Sequence, residues 1–133
     1  MRLTDWPMRL SNYLNERRKM PFAWGSNDCV MFAAHAVEAL TGINHYAEYE
    51  GYTTEAEALE IIAENGGMSA LIDKHLSISH NNILKAKRGD LVLAKMPSHT
   101  MGVVDDSGQF VVFVTPEGLI RKHIKCAWRI WSY

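Results

Sequence analysis

An α+β domain is predicted, on three observations. Apolar residues in the first half recur at helical spacing. Those in the second half alternate or run in short blocks, as strands do. The links between the later blocks are too short for crossover helices, so neighbouring strands should run antiparallel. The chain has 133 residues, which fits one domain over residues 1–133 with one fillable core.

The first helix is predicted from about Asp5 to Lys19. Thr4 or Asp5 can cap it, and Pro7 suits its first turn. Leu10, Tyr13, Leu14 and Arg17 fall on one face, and Met20-Pro21 ends it. The second helix is predicted from near Asn27 to Leu40, closed by Thr41-Gly42. It is apolar apart from His35 and Glu38, so most of its sides should be buried. A capping box, Thr54 with Glu57, opens the third ahead of Ala58, Leu59, Ile61 and Ile62. Asn65-Gly66-Gly67 stops it, and a short fourth helix covers about Ser69 to Leu76.

"SISHNNILKAKRG" reads as connection. Five strands follow: "DLVLAK", "TMGVV", "QFVVFV", "LIRKHI" and "AWRIW". Turns are expected at Met96–His99, Asp105–Gly108 and Pro116–Gly118, giving an antiparallel meander.

Charge narrows the partners. Lys and Arg number 14 against 15 Asp and Glu, a net charge of -1, which argues against nucleic acid or anionic membrane as a partner. The one basic cluster, "NERRK", suits a last helical turn facing the dipole. No run of about 18 apolar residues exists, so no membrane span is expected. "MRLTDWPMRL" lacks the apolar stretch of a secretory signal, so the expected site of synthesis is the cytoplasm. Cys29 and Cys126 do not make a disulfide framework. No CxxC, HExxH, GxGxxG or Walker motif occurs, and no ligand pair has zinc-like spacing, so neither cofactor nor metal is expected.

The candidate chemistry lies in "PFAWGSNDCVMF". With Ser26 or Asn27 as N-cap, Cys29 stands in the first turn of the second helix. Free backbone N–H groups and the positive dipole end favour thiolate there. The same groups can hold an oxyanion when sulfur attacks a carbonyl. The competing reading is a small hydrophobe, because Cys29 shares a helical face with Phe32, Ala33 and Ala36. Asp28 beside it would oppose thiolate if its charge pointed inward.

A cysteine hydrolase also needs a base. His35 lies on another face of the same helix. His45 sits in a connection, His75 and His80 flank the fourth helix and look exposed, and His123 lies among Lys and Arg. His99, just before "TMGVV", is the base candidate.

"PFAWG..DC" leading into an apolar helix, followed by "RGDLVLAK" and "HTMGVV", resembles the NlpC-type cell-wall endopeptidases, papain-like cysteine hydrolases of peptidoglycan stem peptides. "DWPMRLSNYLNERRKMPFAWGSNDC" and "CAWRIWSY" resemble a small phage and prophage branch of that superfamily, over nearly the whole chain. The resemblance implies a papain-like fold, with Cys29 as nucleophile at a helix start and a C-terminal sheet of about five strands. It implies His99 as base, a tail-tip or baseplate setting in the virion, and other tail proteins as partners. It allows cleavage of stem peptides during entry, or a structural tail component without turnover. In the latter, Trp6, Trp128, Trp131 and Tyr133 could serve as contact residues.

Three positions depart from the superfamily pattern. Phe22 stands where a Tyr hydroxyl is usual. Thr100, not His99, stands two residues before Gly102, so strand alternation should aim His99 at the wrong face unless a bulge corrects it. In "QFVVFV", the strand expected to orient the histidine, only Gln109 and the following Thr115 are polar.

Overall fold

The computed structural model describes residues 1–95 and 98–133. Among the described residues four α-helices precede an antiparallel sheet, the predicted α+β class. The helices are α1 (Trp6–Arg17), α2 (Cys29–Thr41), α3 (Glu55–Glu64) and α4 (Met68–Asp73). The strands are β1 (Ile78–His80), β2 (Leu91–Lys95), β3 (His99–Val104), β4 (Phe110–Thr115), β5 (Gly118–His123) and β6 (Ala127–Ser132).

The helix signals act as their chemistry dictates. Thr54 Oγ1 accepts the Glu57 N–H, and the Glu57 carboxylate takes the Thr53 N–H and the Thr54 hydroxyl in return. Gly42 ends α2 in the left-handed conformation, φ 79°, its N–H on Glu38 O. Asp5 occupies the cap position of α1 but makes no cap bond; its carboxylate accepts from Arg9 Nε instead, at 2.7 Å.

Among the described residues six strands form the sheet, against the about five expected, in the order β1-β6-β2-β3-β4-β5. Only β2 to β5 form a meander; β6 returns to pair with β2 on one side and β1 on the other. β1 lies inside "SISHNNILKAKRG". Three residues of Ile, Ser and His carry no alternating pattern, and β1 exists because β6 offers it an edge. Both rims discourage further pairing: β1 is short, and β5 carries Arg121, Lys122 and His123. The Asp105–Gly108 and Pro116–Gly118 turns connect β3 to β4 and β4 to β5. Of the Met96–His99 turn, Met96 and Pro97 lie outside the described residues, and His99 begins β3.

The pleat sorts the core into two sides. Leu91, Leu93, Met101, Val103, Val112 and Val114 meet α1 and α2 through Leu10, Leu14, Phe32 and Val37. Val92, Ala94, Val104, Val111, Phe113 and Ile130 form the opposite side, covered by Ile83 and Ala86. Cys29 packs on the first side and Cys126 on the second, and both are free. Trp131 is fully buried and donates its indole N–H to Asp73 Oδ1 at 2.9 Å, so it is a core residue and not a surface contact. Arg17, counted with the basic cluster, is buried over the Tyr13 ring. Among the described residues no helix is long and apolar enough to cross a membrane.

Candidate functional site

Residues 20–28 are held from several directions before the chain enters α2. Phe22 N–H bonds to Thr115 O on β4 at 3.0 Å. Ala23 and Asn27 bridge to each other. Arg17 Nη1 donates to Asn27 Oδ1 at 2.7 Å, and the Asn27 amide donates to Pro21 O at 3.0 Å. Gly25 sits at φ 83°, with the Tyr52 carbonyl oxygen 1.9 Å from where a Cβ would stand, so a side chain is excluded twice over.

Asp28, not Ser26 or Asn27, caps α2. Its Oδ1 accepts the Met31 N–H at 2.9 Å. Its Oδ2 accepts the Gly25 N–H at 2.9 Å and the Tyr52 hydroxyl. Asp28 is only 2% exposed, and these three donors meet its carboxylate. Cys29 is therefore the first helical residue, as expected of a residue in the first turn.

The sulfur environment does not favour thiolate. Burial pushes the Cys29 thiol up to about 11, and the Asp28 charge adds to the rise. Backbone hydrogen bonding from Met101, Val30 and Cys29 itself opposes it without prevailing. The Met101 backbone is available because β3 pairs with β4 only at Val103 and Val104, leaving the His99 end of that edge open.

His99 shares the pleat face of Met101 and Val103, the face toward α2. The space for a Cβ on Gly102 is filled from the other side by Val111 and Phe113, both 2.6 Å away. The offset from Gly102 therefore brings His99 to the Cys29 side, and the expectation that it would face away without a bulge is reversed. Cys29 and His99 line one cavity of about 400 Å³.

No β4 residue orients His99. The Thr115 hydroxyl donates to Gly118 O at 2.7 Å, and Gln109 lies beyond the far end of β4. Trp128 stacks on the imidazole instead, with centroids 6.0 Å apart and planes at 16°. A register shift between Leu93 and Ala94 leaves Trp128 unpaired on β6, so a bulge does act here, on Trp128.

Several cavity residues escaped the sequence reading. Tyr46, Tyr49 and Tyr52 all line it. Their spacing in "YAEYEGY" was the available signal: a 3-10 turn over Ala47–Tyr49 places side chains three apart on one side. His75, read as exposed, is half-buried against the cavity and bonds the Tyr49 hydroxyl at 2.7 Å. His45 lies against His75, and burial followed by the His75 charge lowers its pKa. His35 stays off the cavity, its ring 4.3 Å from that of Tyr46 and tilted to it at 54°. Among the described residues no three His, Cys, Asp or Glu side chains converge on a metal position.

A family profile described as a domain of unknown function (DUF6950) matches residues 1–133. Comparison with curated proteins gives no match.

Proposed function

The chain belongs to the DUF6950 family, and we propose that it is a papain-like thiol hydrolase of the NlpC type, with Cys29 as nucleophile and His99 as general base. One observation carries this reading. Cys29, at the start of α2, and His99, at the start of β3, line the same cavity.

A thiol at about 11 is protonated at neutral pH, so His99 must take the proton as attack proceeds. The sulfur then bonds to the carbonyl carbon. The Cys29 and Val30 N–H groups at the helix start stabilise the oxyanion. His99 passes the proton to the leaving amine as the C–N bond breaks, and water releases the acid from the thioester. The Tyr52 hydroxyl beside Asp28 supports the reading, because it supplies near Cys29 the phenol that Phe22 lacks.

The substrate class comes from the resemblance: amide bonds of peptidoglycan stem peptides, cut during phage entry by a tail-tip or baseplate protein. The same resemblance supports other tail proteins as partners.

A structural tail component without turnover is the second reading. It is favoured by the raised thiol and by an imidazole stacked on Trp128 without an orienting carboxylate among the described residues. Trp128, 47% exposed, would then be a contact residue.

Purified sacculi incubated with the chain separate the two. New amino termini from the wild type, absent with Cys29→Ala and reduced with His99→Ala, are expected of the hydrolase. No release by the wild type, with assembled tails binding wild type and Cys29→Ala alike, would establish the structural reading.

A further inference from the structure

We infer that the cavity beside Cys29 is an acyl-chain pocket, and that the site acts on esters or amides of unbranched aliphatic acids. With Cys29 and His99 read as the acyl-transfer pair proposed above, on which this step rests, the cavity decides what the carbonyl carries: an aliphatic chain, in place of the stem peptide that the resemblance suggests.

Its walls are hydrocarbon. Val30, Ala34 and Val37 of α2 line it together with Leu59 and Ile62 of α3 and Leu71 of α4. From Cys29 to Val37 is about 12 Å at ~1.5 Å per residue, so the slot is long as well as apolar. At about 400 Å³ it far exceeds the ~150 Å³ apolar cavity that suffices for benzene.

The polar groups of its lining mostly stand outside these helix walls: Ser98 and His99 at the start of β3, Tyr46 and Tyr52 before α3, and Tyr49 and His75. The latter two bond to each other at 2.7 Å, so they do not call for a polar partner. The walls are helical, with backbone groups already paired. A peptide entering there would leave its amides unpaired, whereas a hydrocarbon chain gives up nothing but water. The wall itself is under-packed: Leu59 is 55% exposed, and Ile61 and Ile62 are only half-buried. Apolar area left this open in a folded chain fits an occupant.

The chemistry balances without a co-reactant. Cys29 Sγ bonds to the acyl carbon, the bond to the leaving oxygen or nitrogen breaks, and His99 carries the thiol proton to the leaving group. Water then cleaves the thioester and the thiol is restored.

Hydrolysis of 4-nitrophenyl octanoate and 4-nitrophenyl acetate tests this, together with octanoic acid titrated into Cys29→Ala. The octanoate should be preferred by about tenfold or more in kcat/KM, and octanoic acid should bind Cys29→Ala. Ala34→Leu, which fills the slot, should lower the octanoate-to-acetate ratio several-fold. Equal turnover of both esters with no binding of octanoic acid overturns the pocket and leaves the hydrolase standing. Binding without turnover of either ester keeps the pocket and removes the hydrolase.

Discussion

The Tyr52 hydroxyl donates a hydrogen bond to Asp28 Oδ2, the carboxylate one residue ahead of Cys29. The bond ties the segment before α3 to the cap of α2, and both partners are buried. Tyr52→Phe removes the donor and should destabilise the fold by about 2 kcal/mol, as for a buried hydrogen bond to a charged group. Asp28→Ala should cost about 3 kcal/mol, because it also removes the cap and leaves the Gly25 N–H and the Tyr52 O–H unpaired. Urea titration measures both. Equal midpoints for wild type and Tyr52→Phe would show that the bond contributes nothing.

Cys29 should alkylate slowly at neutral pH. Burial, reinforced by Asp28, holds its thiol at about 11, so reaction with iodoacetamide should keep accelerating past pH 9 instead of levelling there. Stability carries the matching sign. The folded state holds the proton more tightly than the unfolded chain, so this contribution is whole below the unfolded thiol value and is lost as pH rises through about 11. Tyr13, Tyr52 and Tyr133, all raised chiefly by burial, act the same way from about pH 10 upward. A denaturation midpoint that is flat from pH 8 to pH 11 would contradict this.

Gly102 should resist any side chain. A Cβ there would lie 2.6 Å from Val111 Cγ1 and from Phe113 Cε1, both buried. Gly102→Ala should cost about 1–3 kcal/mol through overpacking. Loss of stability with His99 still reactive toward diethyl pyrocarbonate would separate this steric role from any effect on the site.

Arg2 and Asp90 should couple strongly. Asp90 is fully buried and accepts from Arg2 Nη2 at 2.9 Å, from the Lys87 N–H at 2.8 Å and from the Ser132 hydroxyl at 2.9 Å. Burial raises the Asp90 pKa even though Arg2 and these donors pull it down. Removing Arg2 leaves that charge unpaired, so Arg2→Met should cost about 3–5 kcal/mol. In the Arg2→Met, Asp90→Asn double variant the losses should fall well short of their sum. Additive losses would mean that the pair is not an interacting unit.

Local rules made the helices and Cys29 legible. Gly42, Thr54 and Glu57 announce helix ends through their own chemistry, whatever packs around them, whereas the cap of α2 fell on Asp28 and not on the expected Ser26 or Asn27. What stayed hidden depends on distant partners. β1 needs β6, more than fifty residues away in the register of Ser79 with Trp131. The face of His99 followed from alternation, but which face meets α2 is decided by Val111 and Phe113 filling the space beside Gly102. The cavity is a gap between α2, α3 and α4, and a gap has no residue of its own to read.

Trp128 should act as a positioning residue for His99. The β6 bulge leaves it unpaired and 47% exposed, so its removal costs little burial. Its one ring face meets His99 at 16°, and Lys95 Nζ lies 3.8 Å from its centroid. No β4 side chain shares the task, because the Thr115 hydroxyl is committed to Gly118 O. Trp128→Ala should therefore shift the urea midpoint by no more than about 0.5–1 kcal/mol in stability, while kcat for 4-nitrophenyl ester hydrolysis falls several-fold and KM stays level. Trp128→Phe keeps a stacking face and should restore part of the rate. A contact residue of a structural protein would show neither the kcat loss nor the rescue, since stacking matters to a rate only if the imbalance in His99 orientation is felt by the proton it moves.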